Sequence, residues 1–134
     1  VILVDAGPLV AILCAEDAEH ARCLSAMDGI EDDVRTVWPV ITEAMYLLRN
    51  SWRGQEELWL ALEREDVGLL TLDHLDFDRM HELMAKFRDP PMDLADAALV
   101  RVAEREKIRR VFTLDRRDFS LYRPSGIGRF DIVP

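Results

Sequence analysis

Short runs of apolar and β-branched residues alternate with longer amphipathic stretches from one end of this chain to the other. VILV (1–4) is bounded by Asp-Ala-Gly-Pro and reads as a fully buried strand. A second short strand is expected around 34–38, a third at VGLLTL (67–72), a fourth at RRVFTL (109–114) and a weaker fifth at GRFDIV (128–133). Helical patterns lie between them. Pro8 suits the first turn of a helix reaching about Ala15, and Asp17 is placed to cap another ending near Met27. Pro39 opens a helix to about Arg53, which Gly54 breaks before a further helix at 55–65. Residues 75–88 form an amphipathic helix ended by Asp89-Pro90-Pro91, and Asp93 caps a last one reaching about Lys107. Strands alternating with helices need right-handed crossovers, which give a parallel sheet covered on both faces. The expected fold is an α/β/α single domain over 1–134, with a central parallel sheet of four to five strands.

Composition narrows the setting. A chain of 134 residues, 49% of them apolar, can bury a real core. No apolar stretch approaches the roughly 20 residues that span a bilayer. The N-terminal VILVDAG carries no basic n-region or cleavage site, and Cys14 and Cys23 fall in helical stretches without a disulfide framework. A reduced, cytoplasmic protein without membrane contact is expected. The net charge of −9 is unevenly spread: residues 1–100 hold 8 Lys/Arg against 21 Asp/Glu, residues 101–129 hold 9 against 4. That asymmetry marks either a polyanion-facing surface or a solvated helix end around Arg101, Arg105, Lys107, Arg109 and Arg110. Overall acidity argues against a protein that coats duplex nucleic acid, and leaves local contact with a short single strand open. Trp38, Trp52 and Trp59 are expected to pack helices, and could equally line a protein–protein face.

Four acids stand where buried elements begin or end. Asp5 closes the first strand and Asp115 the fourth. In open parallel sheets, ligands sit beyond such carboxyl ends. Gly7 lies nearer the N-cap position of the next helix, so a ligand role for Asp5 is favoured over a cap. Glu43 has Val40, Tyr46 and Leu47 on its helical face, although a glutamate here also gains from the helix dipole. Asp93 and Asp96 fit a capping-box-like pair, and Asp96 can add a ligand role. Asp115 is balanced between a site and a cap of RRDF (116–119), with Asp118 completing the cap. Thr113 and Asp115 leave the strand end on one side. Carboxylates gathered beside a core repel one another unless a cation neutralises them, and hard divalent ions prefer all-oxygen sites. The pattern points to a Mg²⁺- or Mn²⁺-dependent phosphodiesterase. Zinc-ligand spacing, CxxC, GxGxxG, GxxxxGK[ST] and GxSxG are all absent.

Taken in order, LVDAGPLVAIL (3–13), ITEAMYLL (41–48), LADAALVRVAE (94–104) and VFTLDRRDF (111–119) make the chain resemble a PIN domain. More narrowly, it is similar to the VapC toxins of bacterial and archaeal toxin–antitoxin pairs. The resemblance covers essentially the whole chain. It implies that Asp5, Glu43, Asp96 and Asp115 are the catalytic quartet, with Asp5, Asp96 and Asp115 on the metal. Thr113 matches the supporting hydroxyl residue, and Asp93 is an outer-shell candidate. Ala6 departs from the Thr or Ser of many relatives, which removes a possible hydrogen bond beside the first Asp. The implied chemistry is hydrolysis of RNA phosphodiesters with Mg²⁺, or Mn²⁺ in its place, and Arg116, Arg117 and Arg123 are candidates for holding RNA phosphates. The implied partners are a small antitoxin protein and a second copy in a homodimer, with the helices at 39–53 and 55–65 as contact surfaces.

Two other readings stay open. A non-catalytic RNA- or protein-binding module would keep the fold without activity, which Ala6 makes worth weighing. A phosphoacceptor receiver domain also uses clustered Asp on a parallel sheet. It needs an acidic pair after strand one and a Lys after strand five, whereas the only lysines are Lys86 and Lys107.

Overall fold

Three wholly buried residues, Ile2–Val4 (β1), form the axis of the sheet. In the computed structural model, which describes residues 1–134, β1 pairs in parallel with Val34–Thr36 (β2) on one side and Arg110–Phe112 (β4) on the other. Gly68–Leu69 (β3) extends the sheet beyond β2, and Asp131–Val133 (β5) beyond β4. The order is β3-β2-β1-β4-β5, all parallel. The chain moves outward from β1 in one direction, then returns to the other side at β4. The carboxyl ends of β1 and β4 therefore flank the switch point, where such sheets open a crevice. A receiver-type sheet runs 2-1-3-4-5, so this order sets that reading aside.

Ala6–Leu13 (α1) and His20–Asp28 (α2) link β1 to β2, and Trp38–Leu47 (α3) and Trp52–Glu63 (α4) link β2 to β3. A 3-10 turn at His74–Asp76, Phe77–Lys86 (α5) and Leu94–Glu106 (α6) lead back to β4, and Arg116–Leu121 (α7) precedes β5. Right-handed crossovers to opposite sides of β1 put α1–α4 over one face and α5–α6 over the other. Contacts group the same way, α1 with α2, α3 and α4, and α5 with α6, while α3 also meets α6. Small residues let α6 lie deep: Ala95, Ala97, Ala98 and Ala103 are buried with Leu99, Val100 and Val102.

Several boundaries differ from the expected ones for local reasons. α1 starts at Ala6, before Pro8, because Asp5 is its N-cap and accepts from Ala6 N–H. α3 stops at Leu47, and Ser51 caps α4 through Gly54 N–H, so Gly54 sits inside a helix instead of breaking one. A Cβ there would lie 3.0 Å from Leu48 Cδ2, which explains the glycine as a point of close approach. Asp17 accepts from Glu19 N–H one turn early, and α2 begins at His20. The third strand shrinks to two residues, although Leu70 N–H still donates to Thr36. Trp38, Trp52 and Trp59 are all substantially exposed, so the helix-packing role fails for them. The basic stretch is largely paired: Arg101 and Arg105 both clasp the buried Asp76, and Arg110 binds Asp32.

Candidate active site

The switch point brings the expected acids to one place. A cleft of about 410 Å³ is lined by Asp5, Glu43, Asp93, Asp96, Asp115 and Asp118, with Ala6, Gly7, Pro91 and Leu114 completing its wall. Six carboxylates and no Lys, Arg or His face this space.

Each acid arrives by a separate piece of local structure. Asp5 leaves β1 and is buried; its two oxygens accept from Ala6 N–H and from the Thr113 hydroxyl, each at 2.8 Å. Thr113 in turn accepts from Asp115 N–H at 3.1 Å, so one hydroxyl ties together the ends of β1 and β4. Asp93 is the N-cap of α6 and accepts from Asp96 N–H at 2.8 Å. The reciprocal half of a capping box is not made. The Asp96 carboxylate turns instead toward Tyr122, whose phenol donates to it at 2.6 Å. Asp115 caps α7 through Asp118 N–H, which brings Asp118 round to the same cleft. Glu43 reaches in from α3, half-buried and without a hydrogen-bond partner.

Cap and cleft roles therefore coincide at Asp5 and Asp115, where the sequence set them against each other. Two participants were not anticipated. Asp118 takes the place expected of it in the cap of α7, yet oxygens of Asp96, Asp115 and Asp118 also lie within 4.8 Å of one another, the tightest carboxylate group here. Its position three residues after an N-cap Asp was the available signal. Nothing local marks Tyr122 as a partner of a residue 26 positions away. Among the arginines, Arg116 donates to the backbone oxygens of Ile132 and Pro134, and Arg123 to those of Ser120 and Tyr122. Arg117 is exposed.

The crowding shows in the protonation equilibria. Burial pushes the Asp96 carboxyl up to about 8, with Asp5, Asp93 and Asp115 adding repulsion and Tyr122 opposing. Burial likewise raises Asp5, with Asp93 and Asp115 contributing, and raises Glu43, with Asp5 and Asp93 contributing. Asp118 is raised by burial and by Asp115, with Arg117 opposing. An all-oxygen set of this density, with no basic side chain lining the cleft, suits a hard divalent cation.

A PIN domain family model matches residues 2–123. The chain belongs to the PIN domain family. Ribonuclease VapC26 of Mycobacterium tuberculosis is 31% identical to this PIN domain over 137 aligned positions, covering 99% of this chain and 100% of the relative. The crystal structure of M. tuberculosis VapC20, a Sarcin-Ricin loop cleaving toxin, superposes with TM-score 0.79 at 18% identity over 87% of this chain and 92% of that one. A toxin–antitoxin complex from Klebsiella pneumoniae matches with TM-score 0.69 at 16% identity, covering 100% and 97%. At those identities the two structures speak for the fold.

Proposed function

We infer that this PIN domain is a VapC-type endoribonuclease that hydrolyses RNA phosphodiester bonds with the help of a divalent cation. The observation carrying this reading is the cleft of six carboxylates at the switch point, in a chain of this family. Asp96, Asp115 and Asp118 would hold Mg²⁺, or Mn²⁺ in its place, with Asp5 beside them. Bound there, the cation supplies charge neutralisation at the scissile phosphate and a more acidic water.

The chain's own groups set the rest. Thr113 and Ala6 N–H fix the orientation of Asp5, and Tyr122 fixes that of Asp96, leaving its second oxygen without a partner. Glu43, with no donor of its own and a raised carboxyl, is the group we assign to orient the attacking water and take up its proton. Asp93 holds the first turn of α6 and adds negative charge at the rim. Arg117 is free to meet a neighbouring RNA phosphate, whereas Arg116 and Arg123 do so only with donors left over from their backbone contacts.

A small antitoxin is the proposed protein partner, and a second copy in a homodimer a further one. α3 and α4 expose Trp38, Tyr46, Leu47, Trp52 and Trp59, large apolar side chains of the kind that protein interfaces use. No helix is long and apolar enough to cross a membrane. Two free cysteines accord with the reducing cytoplasm we propose as its location.

The test compares wild type with Asp5→Asn and Asp96→Asn in RNA cleavage with Mg²⁺ or Mn²⁺. Each variant should lose at least about 100-fold in rate. Parental activity in both would remove the assignment.

A further inference from the structure

Six of the eight arginines in the last third of the chain fall into two groups. Arg101, Arg105 and Arg110 are consumed by carboxylates of the body of the fold. Arg109 and Arg129 have no carboxylate partner, and with Arg116 they line one cavity of about 320 Å³ along β5. Ser120 and Phe130 contribute to its wall, and Asp131 does too, but its carboxylate is turned to Arg110 at 3.5 Å. Arg109 Nε donates to Arg129 O at 3.0 Å, which anchors that guanidinium and leaves both terminal nitrogens unused. The Arg129 side chain makes no hydrogen bond and no ion pair, although the chain carries a net charge of −9 and elsewhere supplies acids freely.

Three guanidiniums face this cavity against the single carboxylate of Asp131, which Arg110 already engages, so the cavity keeps an excess of positive charge that attracts an anion. The position says which anion. Arg116 directly follows Asp115 of the cleft and reaches the end of β5 through Ile132 and Pro134, while Arg109 and Arg129 precede β4 and β5 at the opposite end of the sheet. The cavity thus lies along the edge strand, with Arg116, the neighbour in sequence of the cleft's Asp115, in its wall. We propose that Arg109, Arg116 and Arg129 form a phosphate track that binds the RNA backbone on one side of the scissile bond. The proposal rests on the ribonuclease reading for its substrate, and deepens it: an acidic cleft repels a polyanion, so affinity must come from outside that cleft. Planar guanidiniums, those of Arg109 and Arg116 held by backbone carbonyls, suit phosphodiester oxygens, and their contacts carry no base preference.

The experiment measures binding of a labelled single-stranded RNA dodecamer in EDTA, where cleavage is silent, across a KCl series. Each phosphate contact with a single strand contributes about 0.7 to the slope of log K against log salt. Arg109→Ala/Arg129→Ala should lower that slope by about 1.4. Arg129→Ala alone, which removes no hydrogen bond within the protein, should lower it by about 0.7. Arg109→Lys/Arg129→Lys should retain most of it. An unchanged slope in well-folded Arg129→Ala and in the double variant overturns the track, even if those variants lose binding to a protein partner. Cleavage of the same RNA by wild type with Mn²⁺ is scored separately. Lost slope without wild-type cleavage would sink the catalytic reading and leave the track standing.

Discussion

Asp5 and Asp96 differ in how their oxygens are occupied, and this separates their roles. Both Asp5 oxygens already accept from neutral donors, Ala6 N–H and the Thr113 hydroxyl. Asp96 accepts from Tyr122 at one oxygen and keeps the other open. Tyr122 is buried between Phe87 and Phe119, edge-on to both, so its phenol is held where Asp96 needs it. Its own ionisation is strongly disfavoured by burial and by Asp96, so it remains a donor. Tyr122→Phe should lower Mn²⁺ affinity and cleavage by about 10-fold, the usual effect of losing a partner behind a metal ligand. Isothermal titration would read the affinity, and a melt should show a stability loss of only about 1 kcal/mol. Unaltered affinity would mean Asp96 needs no such support. Thr113→Val strips a donor from Asp5 and an acceptor from Asp115 N–H at once. A loss of about 2–3 kcal/mol by denaturant titration is expected, because a buried carboxylate and a backbone N–H both lose partners. Of these residues, Asp5, Asp96 and Thr113 were legible as chemistry placed at element ends. Tyr122 was not, because a contact across 26 residues exists only once α6 and α7 are packed.

At the level of elements, the alternating pattern was readable because β1 and β4 lie in compact apolar runs, and because α1, α4, α6 and α7 start at a capping side chain and α3 at a proline. Helix ends were harder. The α3–α4 break rests on Ser51 winning Gly54 N–H, a local competition that a glycine alone misdirects. The basic stretch misled in another way: its charge was visible, but the partner of Arg101 and Arg105 was Asp76, from the 3-10 turn before α5. That acid is 1% exposed, and its oxygens lie 2.7 and 2.8 Å from the two guanidiniums. Burial opposes ionisation, but Asp73 N–H and the two arginines hold its carboxyl below the ordinary range. A depressed folded value means the bridge stabilises fully above about pH 4 and fades as pH falls through the folded value. Asp76→Ala should therefore destabilise by about 2–3 kcal/mol at pH 7, less than a fully enclosed pair would, since both arginines can turn to water. The wild-type advantage should shrink below pH 4. A pH-independent difference between the two would refute the bridge as its origin.

Across the whole molecule, two groups of acids pull the pH dependence in opposite directions. Asp32, Asp76 and Glu104 are held low by arginines, so protonating them weakens the fold on the acid side. The cleft acids behave oppositely. Asp5, Glu43, Asp96 and Asp118 are all raised, Asp96 to about 8. The folded, metal-free protein thus keeps protons that the unfolded chain releases near pH 4, and its stability falls as pH climbs from there through about 8. A divalent cation reverses this, because it favours the ionised carboxylates and stabilises by mass action, about 2.7 kcal/mol at 100 times its dissociation constant. Thermal melts at pH 5, 7 and 8.5, with EDTA or with Mn²⁺, should show metal-free stability declining with pH and the Mn²⁺ increment growing. Asp96→Asn removes the most strongly raised group without introducing a charge. At pH 8 and in EDTA this variant should exceed wild type by about 1–3 kcal/mol, while losing most of its response to Mn²⁺. The two halves of that outcome belong together: a residue that destabilises the empty fold and is required for the metal response is one whose placement serves the ion. Wild type more stable than Asp96→Asn in EDTA at pH 8 would show that the cleft tolerates its charges without a cation.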